Sequence, residues 1–188
     1  MTKKEIRSRA LFLMQEGKSK QEAFDELLPT AGHTADELAG IMRFVPSPRA
    51  REKYLTVHIF LIIAMCIVIL LKMLAGVSMF LDKPGASFIL IFLLPALNVW
   101  FTYSLIRYQG SAYRLVAILA LLSFIRSAPA VIRDFNILSL PELVLIVVIA
   151  GLGFFLNKRM VPAVTETREN YTDEYGRIRL RKKFILPD

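Results

Sequence analysis

The sequence is poor in the side chains on which catalysis and metal binding most often depend. Its 188 residues include a single cysteine, Cys66, and two histidines, His33 and His58. One cysteine excludes an intrachain disulfide, and so few thiols and imidazoles exclude a zinc site built from them. The chain also lacks a Walker loop, GxGxxG and GxSxG turns, and HExxH and CxxC pairs. We therefore expect a protein that is not an enzyme, with no catalytic residues, no metal site and no cofactor.

Charged residues are nearly absent from four blocks in the middle of the chain, which is unusual for a soluble domain. Hydrophobic residues make up 55% of the sequence, and the mean hydropathy is +0.49. A membrane-spanning helix needs about 20 apolar residues. The third block is the weakest, because Arg126 and Pro129 interrupt its apolar run. The sequence predicts an all-α polytopic membrane protein with four transmembrane helices, at about 55–75, 86–106, 112–132 and 140–156.

A cytosolic arm of three short helices is predicted at residues 1–48, before a membrane-spanning part at 49–157. Ser19 and Thr34 each stand three residues before a glutamate, which is the capping-box pattern of a helix start, and Gly17 suits a helix end. The apolar faces of these helices are small, so we expect the arm to need a partner surface in order to fold. That surface is the membrane, another subunit or another protein.

The distribution of basic residues predicts which side of the membrane holds the chain ends. Lysine and arginine number 24 and aspartate and glutamate 16, a net charge of +8. Much of the excess lies just before the first predicted span and after the last. The positive-inside rule then places both ends in the cytosol of a cell-membrane protein, with an anionic lipid leaflet as partner and not nucleic acid. Four tyrosines at the predicted cytosolic helix ends suit an interfacial belt: Tyr54, Tyr103, Tyr108 and Tyr113.

Two groups of polar residues inside the predicted spans are candidates for function. Arg126 and Glu142 lie toward the non-cytosolic side, and an ionisable residue within a span is a functional candidate. Asn98 follows by one turn Pro95, which is expected to kink the second span. Arg126, Glu142 and Asn98 would then line a polar path. Structural alternatives exist as well, because Glu142 forms a capping box with Ser139, Arg126 can reach the interface and Asn98 can bond a neighbouring helix.

Two other residues of the first predicted span are expected to be structural. Cys66 stands in the middle of the apolar block, so we expect a buried and inert thiol. His58 lies one turn into the span, so we expect a satisfied histidine at interface depth rather than a pH sensor.

The C-terminal tail, residues 158–188, is basic and partly apolar. A short β-hairpin is predicted over 169–181, because the turn-forming run 173–176 is followed by alternating basic and apolar residues. Such a tail suits anionic lipid headgroups, and the alternative is a tail surrounded by solvent. The candidate headgroup-binding residues are Arg177, Arg179, Arg181, Lys182 and Lys183.

Three functions suit this layout. The first is a membrane-anchored adaptor or regulatory module that docks a cytosolic protein or assembles as a homo-oligomer. The second is an oligomeric pore or membrane-permeabilising effector gated by the arm. The third is a small-solute transporter, which ranks lower because the sequence lacks a carboxylate at mid-membrane depth for proton coupling. A short capped helical arm, a proline break and four spans resemble the layout of small accessory or effector membrane proteins of bacterial defence systems, including those beside type VI CRISPR nucleases. This resemblance implies the second function and transfers no individual residue.

Overall fold

A computed structural model describes residues 1–82, 87–134, 140–172 and 178–187 as mostly helical, with one two-stranded sheet. The chain divides into two compact units: the terminal domain, formed by Met1–Lys53 with Lys158–Asp188, and the helical bundle, Tyr54–Asn157. The elements of the described chain, in order, are α1 Lys3–Gln15, α2 Lys20–Leu27, α3 Ala35–Arg43, α4 Pro48–Lys53, α5 Leu55–Asp82, α6 Ser87–Ile106, α7 Gly110–Asp134, α8 Leu140–Met160, β1 Thr165–Thr172 and β2 Ile178–Ile185.

The first three helices each begin at a capping box. The side chains of Thr2, Ser19 and Thr34 accept a hydrogen bond from a backbone N–H three residues later, and the glutamate at that position bonds back to the cap. The boxes at Ser19 and Thr34 were predicted, whereas the equivalent pattern at Thr2 was overlooked. Gly17 has a φ of +95°, the left-handed conformation expected of a helix end. Local sequence signals therefore determine where these helices start and stop.

We expect the capping boxes to make the terminal domain sensitive to acid. The bonds from Ser19 lower the pKa of Glu22, and the hydrogen bond with His33 followed by that from Thr34 lowers the pKa of Glu37. A lowered carboxyl pKa contributes stability above the unfolded value, about 4.3, and that stability is lost as the pH falls through the folded pKa. The protection of the α2 and α3 amides, relative to the intrinsic exchange rate at each pH, should therefore fall modestly below about pH 4.

The double variant Glu22→Gln, Glu37→Gln should flatten this acid dependence, because glutamine keeps a capping oxygen but does not titrate in this range. Glu16→Gln is the matched control, since Glu16 lies at the end of α1 and outside the capping boxes. An unchanged acid profile in the double variant would contradict the assignment.

The apolar faces of α1, α2 and α3 pack with the end of the tail in a single core. Phe184 and Leu186 are 8% and 4% exposed, and the ring of Phe184 lies 6.3 Å from that of Phe24 in an edge-to-face contact. The N–H of Leu186 donates to Oε1 of Gln21 at 3.0 Å. The chain's own tail therefore supplies an apolar surface that the sequence led us to seek elsewhere. Core residues from the helices include Ile6, Leu13, Leu27, Leu38 and Met42.

The tail forms an antiparallel hairpin longer than the segment indicated by the sequence. Strand β1 pairs with β2 in a register running from Thr165 opposite Ile185 to Thr172 opposite Ile178. The predicted turn at 173–176 lies outside the described residues. Because side chains alternate along a strand, this register allows Phe184 to face the core while Ile185 stays 45% exposed.

In the bundle, three helices of the described chain are long and apolar enough to cross a membrane. They correspond to three of the four predicted spans, and α5 continues beyond Lys72 while α7 continues beyond Arg126 and Pro129. Helix α6, at the second predicted span, has 20 residues and contains Pro95. The three candidate spans are Leu55–Ser78, Gly110–Pro129 and Leu140–Met160.

Helices α7 and α8 approach closely at one glycine. A Cβ atom on Gly153 would lie 2.9 Å from Cβ of Ala117 and 3.2 Å from the carbonyl oxygen of Tyr113. These distances leave no room for a side chain, so Gly153 permits the contact. Gly151, in the same run of small residues, has nothing within 4 Å of such an atom.

Candidate functional site

The bundle contains a cavity of about 280 Å³ to which all four of its long helices contribute polar side chains. Lys72 comes from α5, Asn98 from α6, Arg126 from α7 and Glu142 from α8. The structure therefore brings Arg126, Glu142 and Asn98 to one cavity. It adds Lys72, which was not among the candidates chosen from the sequence.

The charged residues of the cavity lie at a different depth in the bundle from Asn98. At about 1.5 Å per residue, Lys72 is about 25 Å along α5 from its start, and Arg126 is about 24 Å along α7 from its start. Glu142 lies in the first turn of α8. By the same measure, Asn98 is about 12 Å from the end of α6 and thus near the middle of that helix.

Within the described chain, Lys72, Arg126 and Glu142 show no ion pair within 4.0 Å. The Nδ2 atom of Asn98 is buried and has no hydrogen-bond partner among the described residues. The backbone oxygen of Asn98 accepts from Oγ1 of Thr102 at 2.8 Å, so only the side-chain donor is unsatisfied. A buried donor without a partner costs about 1–3 kcal/mol. A bond from the side chain of Asn98 to a neighbouring helix, which was the structural alternative for this residue, is thus not among the contacts found in the described part of the chain.

The kink at Pro95 and the capping box of Glu142 with Ser139 both stay predictions. Pro95 stands buried inside α6, and the helix continues on both sides of it. Ser139, the expected capping partner of Glu142, lies outside the described residues.

A second group of polar side chains lies in the bundle at the opposite end of α5 from Lys72. His58 is only 2% exposed, and its Nδ1 lies 3.1 Å from Oη of the fully buried Tyr113. The ring of Tyr108 stacks on the imidazole with centroids 4.3 Å apart, and Tyr108 has a φ of +51°, a strained conformation for a tyrosine. These contacts agree with the prediction that the imidazole of His58 has a hydrogen-bond partner. It also shows that Tyr113 packs inside the bundle instead of forming part of an outer belt.

Two other tyrosines have different surroundings. Tyr103 is 49% exposed with the guanidinium of Arg107 over its ring, which suits an interfacial position. Tyr54 packs edge-to-face against Phe155.

The prediction that Cys66 is buried was wrong, because this residue is exposed on the bundle surface.

The candidate headgroup-binding residues lie in or beside the hairpin of the terminal domain. Lys182 pairs with Glu166 at 2.9 Å, which raises the pKa of Lys182, and Lys183 pairs with Glu169 at 2.7 Å. Both lysines are therefore partly neutralised within the hairpin. Arg179 and Arg181 belong to β2, and Arg177 lies outside the described residues.

Comparisons of the chain with protein-family models, curated proteins and solved structures found no match. The functional argument therefore rests on the residues and their arrangement. The part of the chain that the structure describes is mostly helical, with three helices long and apolar enough to cross a membrane and a cavity with polar side chains among the long helices.

Proposed function

We propose that the chain is a non-enzymatic cell-membrane protein with four crossings and both ends in the cytosol, and that its bundle admits a small polar solute. One observation supports this most directly: each of the four long helices brings at least one polar side chain to the same cavity. A charged residue within a span is costly, so charged residues there generally serve a function. A side chain that merely reaches for the interface explains one such residue, but not the convergence of Lys72, Arg126, Glu142 and Asn98.

The terminal domain supports an even number of crossings. Helices α1 to α3 share one apolar core with Phe184 and Leu186, so a membrane cannot pass between the two chain ends. Three crossings would separate those ends. Helix α6 is the remaining long helix, and its 20 residues give a length of about 30 Å, which matches the hydrocarbon thickness of a bilayer.

In this arrangement the cavity opens toward the non-cytosolic side, where Lys72, Arg126 and Glu142 form its mouth. Asn98 lies near mid-membrane and forms its floor. The terminal domain is joined through the chain to both the first and the last helix of the bundle. We propose that the terminal domain gates passage through the bundle.

Solute entry into proteoliposomes tests this proposal. The test solutes are xylitol, potassium chloride and potassium gluconate, and valinomycin is added with the two salts so that potassium can follow the anion. We expect at least one of the three solutes to enter these vesicles faster than it enters protein-free vesicles. Arg126→Ala should slow that entry about tenfold, because a hydrogen bond to a charged group contributes about 1.5–3 kcal/mol and 1.4 kcal/mol is a factor of ten. Stopped-flow light scattering measures the rate.

Arg114→Ala is the matched control, since Arg114 is an exposed arginine of the same helix that does not line the cavity. Entry should be unchanged in this variant. Vesicles that admit none of the three solutes, or equal slowing by both substitutions, would refute passage through the cavity.

The second candidate is the membrane-anchored adaptor or regulatory module, alone or as a homo-oligomer. The observation that favours it is the terminal domain itself, because both chain ends form one folded unit outside the bundle. A solute path needs only the bundle. In the adaptor, a cytosolic protein binds the terminal domain. Unfolding of that domain should abolish the binding, and the adaptor function does not require solute entry.

A further inference from the structure

The cavity of the bundle combines an excess of positive charge with an unsatisfied donor and a largely apolar wall. Lys72 and Arg126 are cationic and Glu142 is anionic, so the charged side chains sum to one positive charge when Glu142 is ionised. A ligand bearing one negative charge balances this sum. Because a guanidinium presents parallel N–H donors that match the two oxygens of a carboxylate, Arg126 favours a carboxylate over a spherical anion.

The rest of the cavity describes the body of the ligand. Its other lining side chains are mostly apolar, among them Met65, Val68, Phe101 and Ile149, and they include the hydroxyls of Ser123 and Ser127. A volume of about 280 Å³ lies at the small end of ligand pockets, so the ligand is a small molecule. Asn98 adds a buried Nδ2 donor without a partner among the described residues, so the ligand should bring one acceptor to this depth.

We propose that the cavity binds a small, water-soluble monocarboxylate whose tail is apolar except for one hydrogen-bond acceptor. Its carboxylate lies between Lys72 and Arg126, and its tail acceptor receives the N–H of Asn98. Glu142 opposes the ligand's charge and prevents the mouth from holding anions too tightly to release them. This inference rests on the four-helix cavity of the proposed function and adds the class of solute.

Calorimetry on the full chain in nanodiscs, with 4-oxopentanoate as the probe, tests the proposal. Pentanoate lacks the tail acceptor, 4-oxopentanamide lacks the charge and acetate lacks the tail. We expect 4-oxopentanoate to bind about three- to tenfold more tightly than pentanoate, which is the effect of one neutral hydrogen bond, and the amide and acetate to bind most weakly. Equal binding of the amide and the acid, or tighter binding of laurate supplied in the disc lipids, would overturn the proposal.

Three variants separate the roles of the residues. Arg126→Gln should weaken 4-oxopentanoate binding tenfold or more, whereas Arg114→Gln should not change it. Asn98→Leu should weaken 4-oxopentanoate but not pentanoate, a difference that a general loss of folding cannot produce. Glu142→Gln should strengthen binding of both acids, and weaker binding there would overturn the assigned charge balance. The comparison of ligands uses the unaltered chain and does not depend on any variant. The proposal can therefore be refuted even if a variant fails to fold.

The outcomes also distinguish this inference from the proposed function. If 4-oxopentanoate binds as expected but no solute enters proteoliposomes, the site stands and passage through the bundle fails. If xylitol enters rapidly but 4-oxopentanoate binds no better than its amide, passage stands and the carboxylate site fails.

Discussion

Phe184→Ala should unfold the terminal domain while the helical bundle keeps its helices. Phe184 is 8% exposed and contacts Phe24 across the junction between the tail and the helical arm. Removing a buried phenylalanine side chain costs about 3–5 kcal/mol. Whole domains are stable by about 5–15 kcal/mol, and a unit this small lies toward the low end of that range. Hydrogen exchange of α1 to α3 in nanodiscs should lose most of its protection, with the bundle amides unchanged.

Ile185→Ala provides the matched control because Ile185 is the next residue of the same strand and is 45% exposed. Alanine there should change stability by no more than about 0.5 kcal/mol. If both variants unfold the domain equally, hairpin formation and not the shared core explains the result. If neither does, the arm and the tail are independent segments, as the sequence suggested.

The same variant separates the two candidate functions. An adaptor whose terminal domain is unfolded loses its cytosolic partner, while solute entry into vesicles is not a property of the adaptor. A solute-admitting bundle retains its cavity in Phe184→Ala, because no residue that lines the cavity belongs to the terminal domain. It loses only regulation from the cytosol.

The sequence predicted the helices of the arm well because their boundaries depend on residues close in the chain. A capping box needs only a serine or threonine and a glutamate three positions later. The union of arm and tail was not predictable in the same way. It depends on two apolar residues of a basic tail, and the bond from Leu186 to Gln21 joins positions 165 apart in the sequence. No local pattern records such a contact.

The cavity was predictable in part, for a physical reason. Polar residues stand out in apolar spans, so Arg126, Glu142 and Asn98 were found as candidates. The faces on which the helices contact one another were not predictable, because a helix that is apolar on every side gives no pattern for them. Close backbone approaches determine those faces, as at Gly153 against Ala117. Lys72 was not among the candidates, since a lysine toward the end of a span can extend its ammonium group to the interface.

We expect residues on either side of α6 to lie on opposite sides of the membrane. In a chain with Cys66→Ala, Lys83→Cys should react with a membrane-impermeant maleimide in intact cells. Gln109→Cys should react only after the cells are opened. The expected contrast is nearly all-or-none, because a helix of about 30 Å either crosses the hydrocarbon layer or does not. Pro95 does not prevent crossing, since neighbouring helices can satisfy the freed backbone groups.

Two further single-cysteine variants test the parity of the crossings. Ser8→Cys on α1 and Glu169→Cys on β1 both belong to the terminal domain, so both should be protected in intact cells. Reaction of Lys83→Cys and Gln109→Cys from the same side would remove α6 from the spans. Both chain ends would still have to lie on one side of the membrane, because α1 to α3 and the tail share one core. An odd number of crossings cannot achieve this, so one more helix would also have to lie outside the membrane. Labelling of the four positions therefore decides between four crossings and two, and with them whether Asn98 lies at mid-membrane.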